Sequence, residues 1–178
     1  VLPAAARQIE TVIVTAERKA EDLQTGPIAG TALTADDRAQ QQIDQVRDLQ
    51  FHVPNVTYTK TEFASFNFSI RGIGTQVVSG DAESGVAFNL DDVYYAYPTA
   101  DSSQFYDLQD IEILRGPQST LYGRGATGGA VNITSARPQL DNFASSVRAK
   151  YGNYDASEFE AMLNVPIGQR IDQLRVNL

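Results

Sequence analysis

Residues 110–134 have the sequence DIEILRGPQSTLYGRGATGGAVNIT, and the fold of the chain is decided there. Apolar and polar residues alternate near both ends of this stretch, which predicts strands at Asp110–Leu114 and Ala130–Ser135. Between these strands, four glycines fall within the seven residues 123–129. Such a density of glycine predicts a tight loop, in which the backbone turns sharply or closely approaches another segment.

The same glycines also match a nucleotide-binding pattern, which the context disfavours. Gly123, Gly125 and Gly128 fit G-x-G-x-x-G. A dinucleotide site needs a helix directly after these glycines, because the helix N-terminus binds the pyrophosphate. Here Val131 and Ile133 alternate as a strand instead. The loop is therefore not interpreted as a nucleotide site.

Upstream of this stretch, the chain has one convincing helical pattern. Residues 34–50 are predicted to form a helix that Thr34 caps, with two aspartates near its start. Pro54 and Asn55 end it. Its predicted buried stripe consists of Ile43, Val46, Leu49 and Phe51.

Short strands separated by polar and glycine-containing loops follow the helix. Besides the two strands above, the candidates are Val56–Thr59, Phe66–Ile73 and Val86–Tyr95. An early helix followed by short strands predicts a compact α+β domain.

The pattern changes again in the last 40 residues, after Pro138. Phe143–Tyr151 and Glu158–Val165 each alternate between an apolar and a polar face, with a turn at Gly152-Asn153, and a third strand begins near Leu174. Strands of about ten residues with this alternation are typical of a transmembrane β-barrel. An amphipathic hairpin packed on a soluble core has the same pattern, so both interpretations stay open.

Composition excludes several classes of function. The chain of 178 residues has 22 acidic against 14 basic residues, a net charge of -8, which argues against a nucleic-acid binder. It has no cysteine and one histidine, His52, so thiol catalysis, Cys-ligated metals and a Ser/His/Asp triad are not expected. Asp91 and Asp92 are adjacent strand residues that would face opposite sides, so no metal site or cofactor is predicted.

Several motifs together resemble one family. Residues 111–117 (IEILRGP), 121–123 (LYG) and 128–133 (GGAVNI) resemble the plug-domain signature of TonB-dependent outer-membrane receptors. Three further segments resemble the family in the right order: 48–56 (DLQFHVPNV), 68–74 (FSIRGIG) and 85–94 (GVAFNLDDVY). The chain departs from the family at Asp92, where relatives often have glycine. The resemblance covers about residues 9–178.

The resemblance implies a fold and a division of the chain. Residues 1–25 would be an N-terminal segment, residues 26–138 an α+β plug domain with a small mixed sheet and short helices, and residues 139–178 the first two to three antiparallel strands of a 22-stranded transmembrane β-barrel that is truncated here. Because 40 residues cannot supply 22 strands, the complete protein is expected to be several times longer. The implied location is the Gram-negative outer membrane, with lipid around the barrel.

One motif at the N-terminus is similar to the TonB box of such receptors, whose backbone adds a strand to the edge of the TonB C-terminal domain. The predicted TonB-binding residues are Glu10, Thr11, Val12, Ile13, Val14, Thr15 and Ala16. β-Branched residues favour the extended conformation that strand addition needs. The same run is also compatible with a plain first strand of the plug.

Two arginines match the plug arginines that pair with barrel glutamates in relatives. Arg71 and Arg115 are predicted to hold the plug in place through such pairs, although ordinary exposed strand-end charges are the alternative. The residues predicted for the signature loop are Gly116, Pro117, Tyr122, Gly123, Gly128 and Gly129.

The resemblance further implies energy-coupled uptake rather than an enzyme. A scarce extracellular ligand, by default a ferric siderophore, would bind partly on the plug loops 76–84 and 97–104. The predicted ligand-facing residues are Gln76, Ser79, Asp81, Glu83, Tyr97, Asp101 and Gln104. TonB, driven by the ExbB/ExbD motor, would then pull on the plug. Two alternatives are a soluble periplasmic or secreted binding module and a receptor that signals to an anti-sigma factor.

Overall fold

The computed structural model describes residues 13–14, 21–22, 29–60, 66–74, 84–95, 105–139, 141–166 and 173–177. By its internal contacts the chain divides into two compact units, Val1–Thr134 and Ser135–Leu178. They are called the N-terminal unit and the C-terminal unit below.

The predicted helical region of the N-terminal unit is interrupted. Thr34 caps helix α1 (Ala35–Gln41), because its hydroxyl oxygen accepts from the Asp37 amide while the Asp37 carboxylate accepts from the Thr34 amide at 3.0 Å. The helix ends where Gln42 adopts a left-handed backbone with φ of 56°. A 3-10 turn and a short helix α2 follow at Val46–Asp48 and Leu49–His52. The prediction of one helix over residues 34–50 is therefore wrong.

The predicted buried stripe is correct at three of its four positions. Ile43, Val46 and Leu49 are at most 1% exposed, whereas Phe51 is 76% exposed. Successive helical residues are separated by about 100°, so Phe51 lies on nearly the opposite side of α2 from Leu49. A single layer packed against α2 therefore buries Leu49 and leaves Phe51 exposed.

The N-terminal unit contains nine described strands. They are β1 (Ile13–Val14), β2 (Glu21–Asp22), β3 (Ala29–Thr34), β4 (Val56–Lys60), β5 (Phe66–Ile70), β6 (Val86–Leu90), β7 (Val93–Tyr95), β8 (Leu108–Arg115) and β9 (Gly129–Ser135). Five of these form a mixed sheet in the order β3-β8-β9-β6-β7, in which β6 and β9 are parallel. β4 and β5 form a separate antiparallel pair.

Two predicted strands end earlier than expected. The stretch Val86–Tyr95 is a hairpin rather than one strand, because Asp91 and Asp92 have φ of 48° and 66° and form the two-residue turn between β6 and β7. The strand predicted from Phe66 stops at Ile70, because Arg71 has φ of 55°. Strand β3 and the short helix α3 (Ser119–Tyr122) were not predicted.

The central strands of the mixed sheet have buried residues on both faces, and the two faces differ. On one face, Ile111 and Ile113 of β8 and Val131 of β9 are fully buried with the residues of the helical region. On the other face, Leu114 joins a smaller cluster of alanines. This second face lies beneath the signature loop, because Ala126 of that loop belongs to the same cluster.

Three antiparallel strands make up the C-terminal unit, in the order β10-β11-β12. Their bounds are β10 (Ala144–Tyr151), β11 (Ser157–Pro166) and β12 (Gln173–Asn177). Arg148 lies opposite Glu160, and Lys150 lies opposite Glu158, with N–O distances of 3.6 and 3.8 Å. The ion pairs therefore occupy one face of this sheet.

The other face of the β10-β11 pair carries apolar side chains that stand in the open. Val147 is 70% exposed, Tyr151 80%, Phe159 64% and Leu163 42%. The predicted alternation of both strands is thus correct, with the apolar face exposed. Across the described parts of the chain, none of the helices has the length and apolar character to span a membrane.

Candidate functional site

The signature loop, residues 116–128, folds back on itself between β8 and β9. The Gly116 amide donates to the Gly128 carbonyl oxygen at 3.0 Å, and the Gln118 amide donates to the Ala126 carbonyl oxygen at 2.8 Å. Ala126 is fully buried and Gln118 is 8% exposed. The loop therefore forms an ordered cover rather than an open turn.

A chain of polar side chains connects this loop to the sheet. Asn89 of β6 donates from its side-chain nitrogen to the Asn132 side-chain oxygen at 2.9 Å. Asn132 of β9 in turn donates to the Tyr122 hydroxyl oxygen at 2.8 Å. Asn89 is only 6% exposed, so its amide depends on such partners. Tyr122 thereby connects the signature loop to two parallel strands.

The glycines of the signature loop are needed chiefly for close approach. A Cβ atom on Gly128 would lie 2.8 Å from the Ile73 carbonyl oxygen, and one on Gly129 would collide with the Leu114 carbonyl oxygen. A Cβ atom on Gly125 would lie 2.8 Å from the Tyr94 hydroxyl oxygen. Gly123 differs, because it has open space around it and a φ of 74°. Both reasons given for this glycine density, sharp turning and close approach, are found in the loop.

The two predicted lock arginines lie at the same end of the N-terminal unit. Arg71 is exposed, and its amide donates to the Asn55 carbonyl oxygen at 2.8 Å. Its Nη1 atom lies 3.4 Å from the position that a Cβ atom on Gly116 would occupy. Arg115, the residue before Gly116, is half-buried and donates from Nη2 to the Gly30 carbonyl oxygen at 3.2 Å. The fold thus brings Arg71 close to the backbone that carries Arg115.

The Nε atom of Arg115 has no hydrogen-bond partner among the described residues, although it is buried. A buried guanidinium nitrogen without a partner is costly, because its proton has lost water and gained nothing in exchange. An additional acceptor at this position would remove that cost. The pairing of either arginine with a glutamate stays a prediction.

Only the centre of the predicted TonB box is described. Ile13 and Val14 form β1, which pairs antiparallel with β2 through Ile13–Asp22 and Val14–Glu21. The remaining predicted residues of the box, Glu10, Thr11, Val12, Thr15 and Ala16, lie outside the described residues. The extended conformation predicted for this run is present at its centre, in a short pair with residues farther along the chain.

The predicted ligand-facing residues belong to loops 76–84 and 97–104. Gln76, Ser79, Asp81, Glu83, Tyr97, Asp101 and Gln104 all lie outside the described residues. Residues on both sides of loop 76–84 are described. Gly74 lies after the turn that follows β5, and Ser84, the last residue of the loop, is buried just before β6. The Gly85 carbonyl oxygen accepts from the Gly128 amide at 2.8 Å, so the residue directly after this loop contacts the signature loop.

Sequence reasoning missed three buried polar residues, two in the sheet and one in the signature loop. Asn89, Glu112 and Gln118 are each at most 8% exposed, yet none was singled out. The available signal was their position at alternating sites within apolar strands or beside the glycine-rich loop. Asp91 and Asp92, interpreted as strand residues facing opposite sides, instead form a hairpin turn. Within the described residues, no three acidic or histidine side chains are grouped as a metal site.

Sequence comparisons with known proteins lead to one family. The family model of the TonB-dependent receptor plug domain matches residues 22–130. The metal-pseudopaline receptor CntO of Pseudomonas aeruginosa is 42% identical over 72 residues, which are 40% of this chain and 10% of that receptor. The iron-regulated outer membrane virulence protein of Vibrio cholerae is 29% identical over 134 residues, 73% of this chain and 20% of that protein.

A solved structure extends the agreement to the fold. The ferric yersiniabactin uptake receptor FyuA of Yersinia pestis superimposes with a TM-score of 0.68 at 23% identity, over 79% of this chain and 22% of that receptor. The chain spans only a tenth to about a fifth of the length of these relatives. Because the family model covers more than half of the chain, this protein belongs to the TonB-dependent receptors through its plug domain.

Proposed function

We propose that this chain is the N-terminal part of an outer-membrane transporter in which the plug gates uptake of a scarce nutrient and TonB supplies the energy. The observation that carries the proposal is the plug domain itself, matched over residues 22–130 and folded as a mixed sheet covered by its signature loop. We assign residues 1–25 to an N-terminal segment that contains the TonB box (about 10–16) and a linker, 26–138 to the plug and 139–178 to the beginning of the barrel.

The exposed face of the C-terminal unit supports a membrane location. Side chains such as Val147 and Phe159 are apolar and open, while the ion pairs of Arg148 and Lys150 occupy the opposite face. β11 has ten residues, and a tilted membrane-spanning strand needs about nine to eleven. An apolar face toward lipid and a charged face toward a wet interior is the arrangement of outer-membrane barrels.

The arginines support a plug that is held until it is pulled. Arg115 has a buried Nε atom without a partner among the described residues, and Arg71 lies next to the adjoining backbone. A carboxylate from the barrel wall would pair with the exposed Arg71 guanidinium and with the part of the half-buried Arg115 guanidinium that stays accessible. Pulling on the N-terminal segment would then have to break these charge-assisted contacts.

The relatives support a metal chelate as the ligand class. Metal-pseudopaline is the ligand in the name of CntO, and ferric yersiniabactin is the ligand in the name of FyuA. For this chain we propose a ferric siderophore or a similar metal chelate, bound partly on loops 76–84 and 97–104. Plug loops supply only part of such a site, since the rest would lie on extracellular loops of the barrel.

Uptake by cells that express the full-length gene tests the ligand class. Cells without their own iron receptors are given radioactive iron bound to a hydroxamate, a catecholate or a phenolate siderophore. We expect accumulation of iron from at least one chelate, and loss of this accumulation when an uncoupler abolishes the proton gradient. Uptake of none of the chelates, with growth restored by a metal-free nutrient instead, would overturn the ligand class.

Binding of the purified TonB C-terminal domain tests the energy source separately. Ile13→Pro removes a backbone donor and fixes φ in the centre of the proposed box, so we expect at least tenfold weaker binding and loss of uptake. Ala6→Pro, upstream of the box, is the matched control and should bind normally. Equal TonB binding by both variants would contradict strand addition at residues 10–16.

A further inference from the structure

One buried polar side chain in the C-terminal unit has no part in the function proposed so far. Asn164 of β11 is 1% exposed, and it is the sole buried residue among those of this unit whose burial is described. The other residues of this sheet whose burial is described are partly or fully exposed. A polar residue in the one buried position of an exposed sheet calls for a specific role.

The contacts of Asn164 all lead to the chain just before β10. Its Oδ1 atom accepts from the Gln139 amide at 2.9 Å, and its Nδ2 atom donates to the Gln139 carbonyl oxygen at 3.0 Å. The same Nδ2 atom donates to the Asn142 carbonyl oxygen at 2.6 Å. Both side-chain donors and one acceptor site are thus used, and all partners are backbone atoms.

The two bonds to Gln139 resemble one step of a β-ladder. An extended residue presents its N–H and C=O on the same side, and here a side-chain amide pairs with both groups. Asn164 therefore extends the sheet by a contact to a residue that belongs to no strand. It lies opposite Ala144, the first residue of β10, so the contact is made where the chain joins the sheet.

We propose that Asn164 is a positioning residue that clamps the chain at Gln139 and Asn142, so that force applied to the N-terminal unit is held there instead of peeling β10 from β11. This mechanical role rests on the proposed function, in which the N-terminal segment is pulled. Without the clamp, tension would reach the Ala144–Asn164 end of the β10-β11 ladder directly. Ladder bonds would then open one after another from that end.

Hydrogen exchange tests whether the clamp exists. In the full-length receptor, Asn164→Leu keeps the approximate volume but removes every polar contact. The Gln139 amide is expected to exchange about tenfold to a hundredfold faster, because its acceptor is gone. Asn153→Leu is the matched control, since Asn153 lies in the exposed turn before β11 and should leave this amide unchanged. Unchanged exchange in Asn164→Leu would overturn the proposal.

Single-molecule pulling from the N-terminus tests the mechanical role. In the unmodified receptor, the extended chain should stop near residue 139 before the barrel yields. In Asn164→Leu, β10 should peel at lower force and release about 40 Å of additional chain. Asn164→Asp keeps an acceptor for the Gln139 amide but sets a carboxylate oxygen against the Gln139 and Asn142 carbonyl oxygens, so it should also peel at lower force, and it serves if the leucine variant does not fold.

Equal stopping points in all folded variants would overturn the mechanical role. Neither measurement uses TonB or a ligand. A failure of the clamp is therefore distinguishable from a failure of the proposed transport function, which the uptake and TonB-binding experiments measure.

Discussion

The apolar faces of alternating strands lie in opposite environments in the two units. In the N-terminal unit, Ile111 and Ile113 are fully buried between the sheet and the helical region. In the C-terminal unit, Val147 and Phe159 are 70% and 64% exposed, and the charged pairs line the other face. The alternation of side chains along a strand determines which residues share a face. Whether that face becomes part of a core depends on the layer that packs against it.

The largest effect is expected in the core of the N-terminal unit. Ile113→Ala leaves a cavity at a fully buried site and should lower the free energy of unfolding by about 2–5 kcal/mol. Denaturant unfolding of the chain measures this loss. Val93→Ala, at a 62% exposed site of the same sheet, is the control and should change stability by less than about 0.5 kcal/mol. Similar losses at both sites would contradict the assignment of this face as the core.

The next prediction tests what covers the open face of the C-terminal unit. Val147→Lys places a charge on the apolar face of β10, and in the full-length receptor it should cost about 2–4 kcal/mol near the membrane midplane. Ser146→Lys, one residue earlier on the opposite face, should cost far less. Folding equilibria in lipid vesicles measure both variants. Equal tolerance of the two lysines would contradict the proposal that this face of β10 contacts lipid.

A smaller loss of stability is expected from substitution of a glycine in the N-terminal unit than from the changes above, and almost none from a glycine in the C-terminal unit. Gly128→Ala brings a Cβ atom within 2.8 Å of the Ile73 carbonyl oxygen and should cost about 1–3 kcal/mol through backbone displacement. Gly152→Ala has its nearest neighbour at 3.7 Å and should be nearly neutral. Thermal unfolding of the two variants gives the difference. A neutral Gly128→Ala would mean that the signature loop is packed loosely.

The smallest effect is expected at the ion pairs of the C-terminal unit. Glu160→Gln removes the partner of Arg148, and the pair is partly exposed, so the loss should be below about 1 kcal/mol. The loss should shrink further as salt is raised, because added ions screen the pair. Unfolding at low and high ionic strength measures this. A loss of several kcal/mol would indicate that this face is dry rather than wetted.

Much of the fold follows from local patterns in the sequence. The strands at Asp110–Leu114 and Ala130–Ser135 and the glycine-rich loop between them were predicted because alternation and glycine density are local signals. Strand β3 was missed because Ala29–Thr34 contains a single large apolar residue, Leu33. Its position comes from pairing with β8, which lies about eighty residues away in sequence.

The candidate site also combines features that local motifs predict with contacts between distant residues that they do not predict. Arg71, Arg115 and the signature glycines were found from their motifs. The approach of the Arg71 guanidinium to the side-chain position of Gly116 joins residues far apart in sequence, so no local pattern contains it. The polar chain from Asn89 through Asn132 to Tyr122 was likewise invisible, because it depends on the parallel register of β6 and β9.

Local patterns suffice to predict the alternation of β10 and β11, the glycine-rich signature loop and the resemblance to the plug family, since each is carried by neighbouring residues. Long-range packing determines that one apolar face is buried while another is exposed, and that Asn164 is hydrogen-bonded to the chain leading into β10. The physical reason is that burial and hydrogen-bond partners are supplied by distant segments. A residue's own neighbours in sequence cannot provide them.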